Sequence, residues 1–147
     1  MPVRRKQHSP LLRPFGVFNN ERISFNQLNE PIISLALRQV VLSPNPYALV
    51  VHDWSCLQFR TYNGKEERFK MTHGGDVGYE LQTSLLVDAA NGLPIASLSQ
   101  TLTDRAGCRS TLIDSLSESL THMDALTADI ARVESLDTGK RLVHLID

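Results

Sequence analysis

Two short apolar strands that each run onto an acid constrain this chain's fold more than any other feature. Tyr47-Ala48-Leu49-Val50-Val51-His52 leads into Asp53, and Leu142-Val143-His144-Leu145-Ile146 leads into Asp147, the final residue of the sequence. Brief apolar runs with β-branched residues fit strands of a buried sheet. Carboxylates at the ends of two such strands suit a divalent cation held over a sheet edge, because hard ions take oxygen ligands. Side chains alternate across a strand, so Asp53 shares a face with Leu49 and Val51, and Asp147 with Val143 and Leu145. His52 and His144 then point to the other face and read as structural.

Between these strands the chain has the punctuation of a meander. Ser43-Pro44-Asn45-Pro46 is a firm break before the first strand. Tyr79, Leu81, Thr83, Leu85 and Val87 alternate in a second strand, Asn91-Gly92 turns the chain, and Leu93 to Leu102 returns as a partner. From Ser110 to Leu136 the spacing of Ile113, Leu116, Leu120, Met123, Ile130 and Val133 predicts one long helix, started by Thr111 with Asp114 and ended by Gly139. Its polar face carries Asp114, Glu118, Asp124, Asp129 and Glu134. Upstream, residues 23–41 predict one or two short helices opened or divided by Pro31. The expected fold is α/β: a mixed sheet ordered strand-strand-strand-helix-strand, preceded by a short helical region. The helix returns the chain so that the last strand lies parallel to the first. We divide the chain into a basic lead-in with short helices, residues 1–46, and a sheet domain, residues 47–147.

Charge is uneven along the chain. The 147 residues carry a net charge of −1, yet residues 1–70 hold 10 Lys and Arg against 5 Asp and Glu, and residues 71–147 hold 5 against 11. A basic first half suits a phosphate backbone, although uneven charge is also common on solvated surfaces. Arg60, Lys65, Arg68 and Lys70, between the first two strands, are the candidate DNA contacts; Arg4, Arg5, Lys6 and Arg13 form a second basic group. No apolar run reaches membrane-span length and no hydrophobic signal region follows Met1, so the sequence reads as cytoplasmic. Cys56 and Cys108 make no zinc or disulfide pattern, and Cys56 is expected to be a buried thiol.

Three stretches together resemble a known family: Val50-Val51-His52-Asp53-Trp54-Ser55, Gly78-Tyr79-Glu80-Leu81-Gln82-Thr83-Ser84-Leu85-Leu86-Val87, and Lys140-Arg141-Leu142-Val143-His144-Leu145-Ile146-Asp147. They are similar to the ribonuclease H-like catalytic domain of DDE transposases, of the insertion-sequence type that cuts and pastes DNA through hairpin ends. The separation of the two acids, 94 residues, suits that family. The resemblance implies catalytic metal sites for Mg²⁺ or Mn²⁺ in which Asp53 matches the first aspartate and Asp147 the second. It implies double-stranded DNA of transposon ends as partner, a transposase dimer, and a bacterial, nucleoid-associated location. The family's third acid, in a downstream Tyr-x-x-Arg-x-x-x-Glu-type motif, has no counterpart, and Trp54 stands where many relatives carry threonine. The expectation is therefore the front part of a transposase, with an incomplete metal site and little turnover.

Other readings of the same residues stay open. Without the resemblance, an acid after a strand is more often a turn starter than a ligand. Asp88 and Asp104 flank strands as turn residues, with Asp88 a reserve metal ligand. The chain could also be a non-catalytic DNA-binding or inhibitory partner of a full-length transposase. A third possibility is an unrelated metal-dependent nuclease using Asp53 with Asp88 or Glu80. Gly74-Gly75-Asp76-Val77-Gly78 lacks the Gly-Lys-Ser/Thr of a phosphate loop.

Overall fold

A computed structural model describes residues 22–62, 64–70, 75–117 and 121–146, with the backbone alone for 113–117. The basic group Arg4, Arg5, Lys6 and Arg13, and also Asp147, lie outside the described residues. The elements in chain order are α1 (Phe25–Val40), β1 (Tyr47–Gln58), β2 (Phe69–Lys70), β3 (Val77–Asp88), β4 (Pro94–Asp104), β5 (Gly107–Ser110), β6 (Ile113–Ser117), α2 (His122–Glu134) and β7 (Arg141–Ile146).

The mixed α/β class stands. One curled sheet runs β6-β5-β4-β3-β1-β7, with β2 pairing β3 beside that path. β1 is antiparallel to β3 and parallel to β7. The predicted turn at Asn91-Gly92 links β3 to β4, with Gly92 at φ +74°, a conformation glycine adopts without steric cost. A register irregularity lies between Ser84 and Leu85, opposite Leu98.

Three expectations need correction. β1 does not end at Asp53; it continues five residues to Gln58, pairing with β3 as far as Gly78. The helix expected over Ser110–Leu136 is half as long. Gly107–Ser110 and Ile113–Ser117 form a strand pair on the open edge of β4, and helix begins only at His122. The helical spacing of Ile113 and Leu116 was overridden because β5, itself laid along β4, offers their segment a ladder of backbone hydrogen bonds. The cap is Thr121 with Asp124, not Thr111 with Asp114: the Asp124 amide donates to Thr121 Oγ1 and the Thr121 amide donates to the Asp124 carboxylate. Finally, Pro31 does not divide α1. The helix runs through it from a Ser24–Gln27 capping box. Pro31 and Gln27 both face solvent, so water can satisfy the carbonyl that proline leaves without a donor.

Ala36 and Val40 of α1 and Val133 of α2 close over Ala48 and Val50 of β1, Leu86 of β3 and Leu98 of β4 as one core cluster. The even-numbered side of β1 is therefore buried from Ala48 to His52. On its odd-numbered side Leu49 and Val51 are half-buried, and Tyr47, Val143 and Leu145 are exposed. Among the described residues, that face of β1 and β7 has no comparable cover.

Candidate functional site

Asp53 lies in the middle of β1, opposite Thr83 of β3, with its side chain exposed on the odd-numbered face. The parallel ladder to β7 runs from Tyr47–Arg141 to His52–Ile146. Among the described residues no three of His, Cys, Asp and Glu converge as a metal-holding group. Asp53 supplies the hard oxygen donor that Mg²⁺ or Mn²⁺ requires, and Asp147 lies outside the described residues.

Asp88 and Glu80 do not join Asp53. Asp88 faces Ala48, five residues along β1 and roughly 17 Å away at the rise of an extended strand. It serves the β3–β4 turn: the Ser43 hydroxyl and the Ala90 amide donate to it, and Asn91 Nδ2 reaches its second oxygen. Those bonds, the Ser43 hydroxyl first, hold its carboxyl below the ordinary aspartate range. Glu80 pairs with Cys56 on β1 and projects from the opposite face to Asp53. Asp104 is a turn residue as expected, accepting from the Ala106 and Gly107 amides and pairing with Arg109.

The four candidate DNA contacts divide by environment. Because β1 runs on to Gln58, their loop begins roughly 17 Å beyond Asp53 rather than close beside it. Lys70 is exposed on β2, and Arg60 is exposed with its guanidinium against Gly75. Lys65 lies over the Phe59 ring, 5.3 Å from its centroid. Arg68 donates to the Phe59 carbonyl at 2.6 Å, which ties that guanidinium to the loop's own backbone.

Directly beneath Asp53, the buried face holds a chain of polar groups. His52 is fully buried; its Nδ1 lies 2.9 Å from Ser84 Oγ and its Nε2 lies 2.7 Å from His144 Nδ1. His144 Nε2 lies 2.8 Å from Glu134 Oε1 on α2. With Glu134 ionised and both imidazoles neutral, one arrangement of protons satisfies the chain. A carboxylate only accepts, so His144 must donate from Nε2 and accept at Nδ1. His52 must then donate from Nε2, and its Nδ1 accepts from the Ser84 hydroxyl, which in turn accepts from Gln82 Nε2 at 3.0 Å. Burial, then the neighbouring His144, lowers the His52 pKa from 6.5 to about 4. The chain ties β3, β1, β7 and α2 together, in keeping with the structural role expected for both histidines.

The sequence places Asp129 on the acidic polar face of the expected long helix, whereas the structure buries it. It is 1% exposed and receives the Thr101 hydroxyl at 2.7 Å, with the Ser99 and Ser110 hydroxyls at 3.4 Å. Burial pushes its carboxyl above the ordinary range, and the hydroxyls and Arg132 offset part of that rise. It anchors α2 to β4 and β5. Its one sequence signal is that Ala125, Leu126, Asp129 and Val133 share a helical face, all four being buried.

Trp54 is half-buried at the wall of an open cavity of about 350 Å³, shared with Glu80, His122, Met123 and Ile146. Its ring meets His122 edge-on at 6.4 Å. Cys56, expected to be buried, is exposed; it lies beyond the part of β1 that the helices cover. No helix among the described residues is long and apolar enough to cross a membrane. Compared with known proteins, the chain matches no family model, no curated protein and no solved structure.

Proposed function

We propose that this chain is a DNA-processing protein on a ribonuclease H-like sheet, similar to the DDE transposases, in which Asp53 and Asp147 hold a divalent ion against transposon-end DNA. The observation that carries the proposal is the parallel register of β1 and β7. It pairs His52 with Ile146, and the residues that follow that pair in sequence are Asp53 and Asp147. The path β4-β3-β1-β7, three antiparallel strands and then one parallel to the first after a helix, supports the same reading.

Mg²⁺ or Mn²⁺ bound there would polarise a phosphodiester oxygen and acidify a bound water. The chain's own part is to hold and position. Asp53 presents an oxygen on the open face, while the His52–His144 contact beneath it keeps β1 and β7 in register. Lys70, Arg60 and Lys65 offer charge to the backbone of bound DNA, with Arg68 contributing less. With two carboxylates available, we expect ion binding and salt-sensitive DNA binding from these 147 residues, with little turnover.

The test is a Mn²⁺ titration followed by electron paramagnetic resonance, in wild type and Asp53→Asn, beside a nicking assay on terminal-repeat DNA. Mn²⁺ affinity should fall at least about tenfold in the variant, which corresponds to about 1.4 kcal/mol. Equal affinities would remove Asp53 from the site and the proposal with it.

A further inference from the structure

Trp54 and Glu80 share the even-numbered face of the sheet, opposite to Asp53. Trp54 pairs with Gln82 and Cys56 pairs with Glu80, so Trp54 and Glu80 are diagonal neighbours, with backbones roughly 7–8 Å apart. Helix α2 begins beside them, and its first two residues, His122 and Met123, line the same cavity of about 350 Å³. Ile146 completes the lining. That volume falls within the usual range for small-molecule sites, where apolar walls surround a few polar groups that fix orientation.

The occupant's charge follows from the groups around the space. Glu80 is the carboxylate of the lining, with its side chain 23% exposed. Among the described residues its one cationic partner within ion-pair reach is His122, whose Nδ1 lies 3.9 Å away. That contact is long, it carries charge only when the imidazole is protonated, and the His122 side chain is 57% exposed. Exposed pairs of this kind contribute little, so a stronger cation can displace the imidazole. Beside the carboxylate stands an indole, the side chain that attracts cations best.

His122 shows the pose such a cation would take: a flat nitrogen-bearing group at 6.4 Å from the Trp54 ring, with one nitrogen toward Glu80. A guanidinium is also flat, and it is permanently charged. Its fork of donors gives two parallel bonds to a carboxylate while its plane lies on an aromatic ring. An alkyl stem would then run along the adaptable thioether of Met123.

We propose that this cavity binds a small-molecule alkylguanidinium, its cation held between Trp54 and Glu80 in the place of the His122 imidazole. The proposal goes beyond the metal site, which lies on the other face, and does not rest on it.

Trp54 is the chain's single tryptophan, so its fluorescence reports the site directly. N-Butylguanidinium titrated into the full chain should shift that emission saturably at around millimolar concentration, as fits a ligand of roughly eight heavy atoms. N-Butylurea has the same size without the charge, and should bind at least about tenfold more weakly. Glu80→Gln should weaken butylguanidinium by a similar factor. His122→Ala removes the internal competitor and should bind at least as tightly as wild type. The guanidinium and urea are compared in wild type, so that arm decides even where Glu80→Gln fails to fold. No saturable shift, equal affinity for the urea, an unmoved affinity in folded Glu80→Gln, or a loss in His122→Ala would each overturn the proposal. An acetylated Gly-Arg-Gly amide that binds more tightly than butylguanidinium would overturn the assignment to a free small molecule, in favour of an arginine on a protein partner.

Discussion

His52 offers the most direct quantitative test of how this fold is held together. It sits at 0% exposure between Ser84 and His144, and its folded-state pKa is about 4 against 6.5 for the free side chain. Between those values the unfolded chain binds a proton that the folded chain refuses. Folding stability from His52 is therefore fully present above pH 6.5, falls as pH drops through the window, and is spent near pH 4. The size of that shift corresponds to about 3 kcal/mol, a large share of the roughly 5–15 kcal/mol typical of a domain. Urea unfolding of wild type and His52→Gln at pH 7.5, 6.5, 5.5 and 4.5 isolates the effect, because every other titrating group is common to both. At pH 7.5 the variant should be less stable by about 1–3 kcal/mol, having broken a buried hydrogen-bonded chain. The difference should shrink toward pH 4 and then vanish or reverse. Parallel stability curves for the two proteins would refute the reasoning.

Further expectations follow from single contacts. A Cβ at Gly78 would lie 1.9 Å from the Leu57 carbonyl oxygen, whereas one at Gly64 would meet nothing within 4 Å. Gly78→Ala should therefore lower the urea midpoint markedly, and Gly64→Ala should leave it nearly unchanged. Asp129→Leu strands the Thr101, Ser99 and Ser110 hydroxyls and should cost on the order of 1–3 kcal/mol or more by chemical denaturation. Asp129→Asn keeps an acceptor and removes a buried charge. Because burial raises the Asp129 pKa, its wild-type contribution strengthens as pH falls from above that pKa toward 3.8, and Asp129→Asn should abolish that trend.

Much of this architecture could be read from local pattern. Alternation along β1 sets His52 and Asp53 on opposite sides without any coordinates, whereas along β3 the alternating Tyr79, Leu81, Thr83 and Leu85 are only half-buried and the core takes Gln82, Ser84 and Leu86 instead. Asn91-Gly92 is legible because a tight hairpin turn needs positive φ, which few residues tolerate. The segment after Ser110 was not legible. Ile113 and Leu116 stand three apart and fit a helix as well as a strand, and the decision belongs to β5, which pairs with their segment and itself lies along β4. Asp129 hides for a related reason: an acid on a helix reads as solvated until hydroxyls from two strands are seen to surround it.

The sequence by itself determined the alternation of faces, the turns between β-strands and the placing of acids beside apolar runs, since each depends on residues close together in the chain. Tertiary structure alone decided the extension of β1 past Asp53, the strand pair at 107–117, the burial of Asp129 and the hydrogen-bonded chain through Ser84, His52, His144 and Glu134. Apart from the 107–117 pair, whose ladder partners are near in sequence, those features need partners about twenty residues or more away, and their free energies appear only once backbone ladders and desolvated polar groups have met.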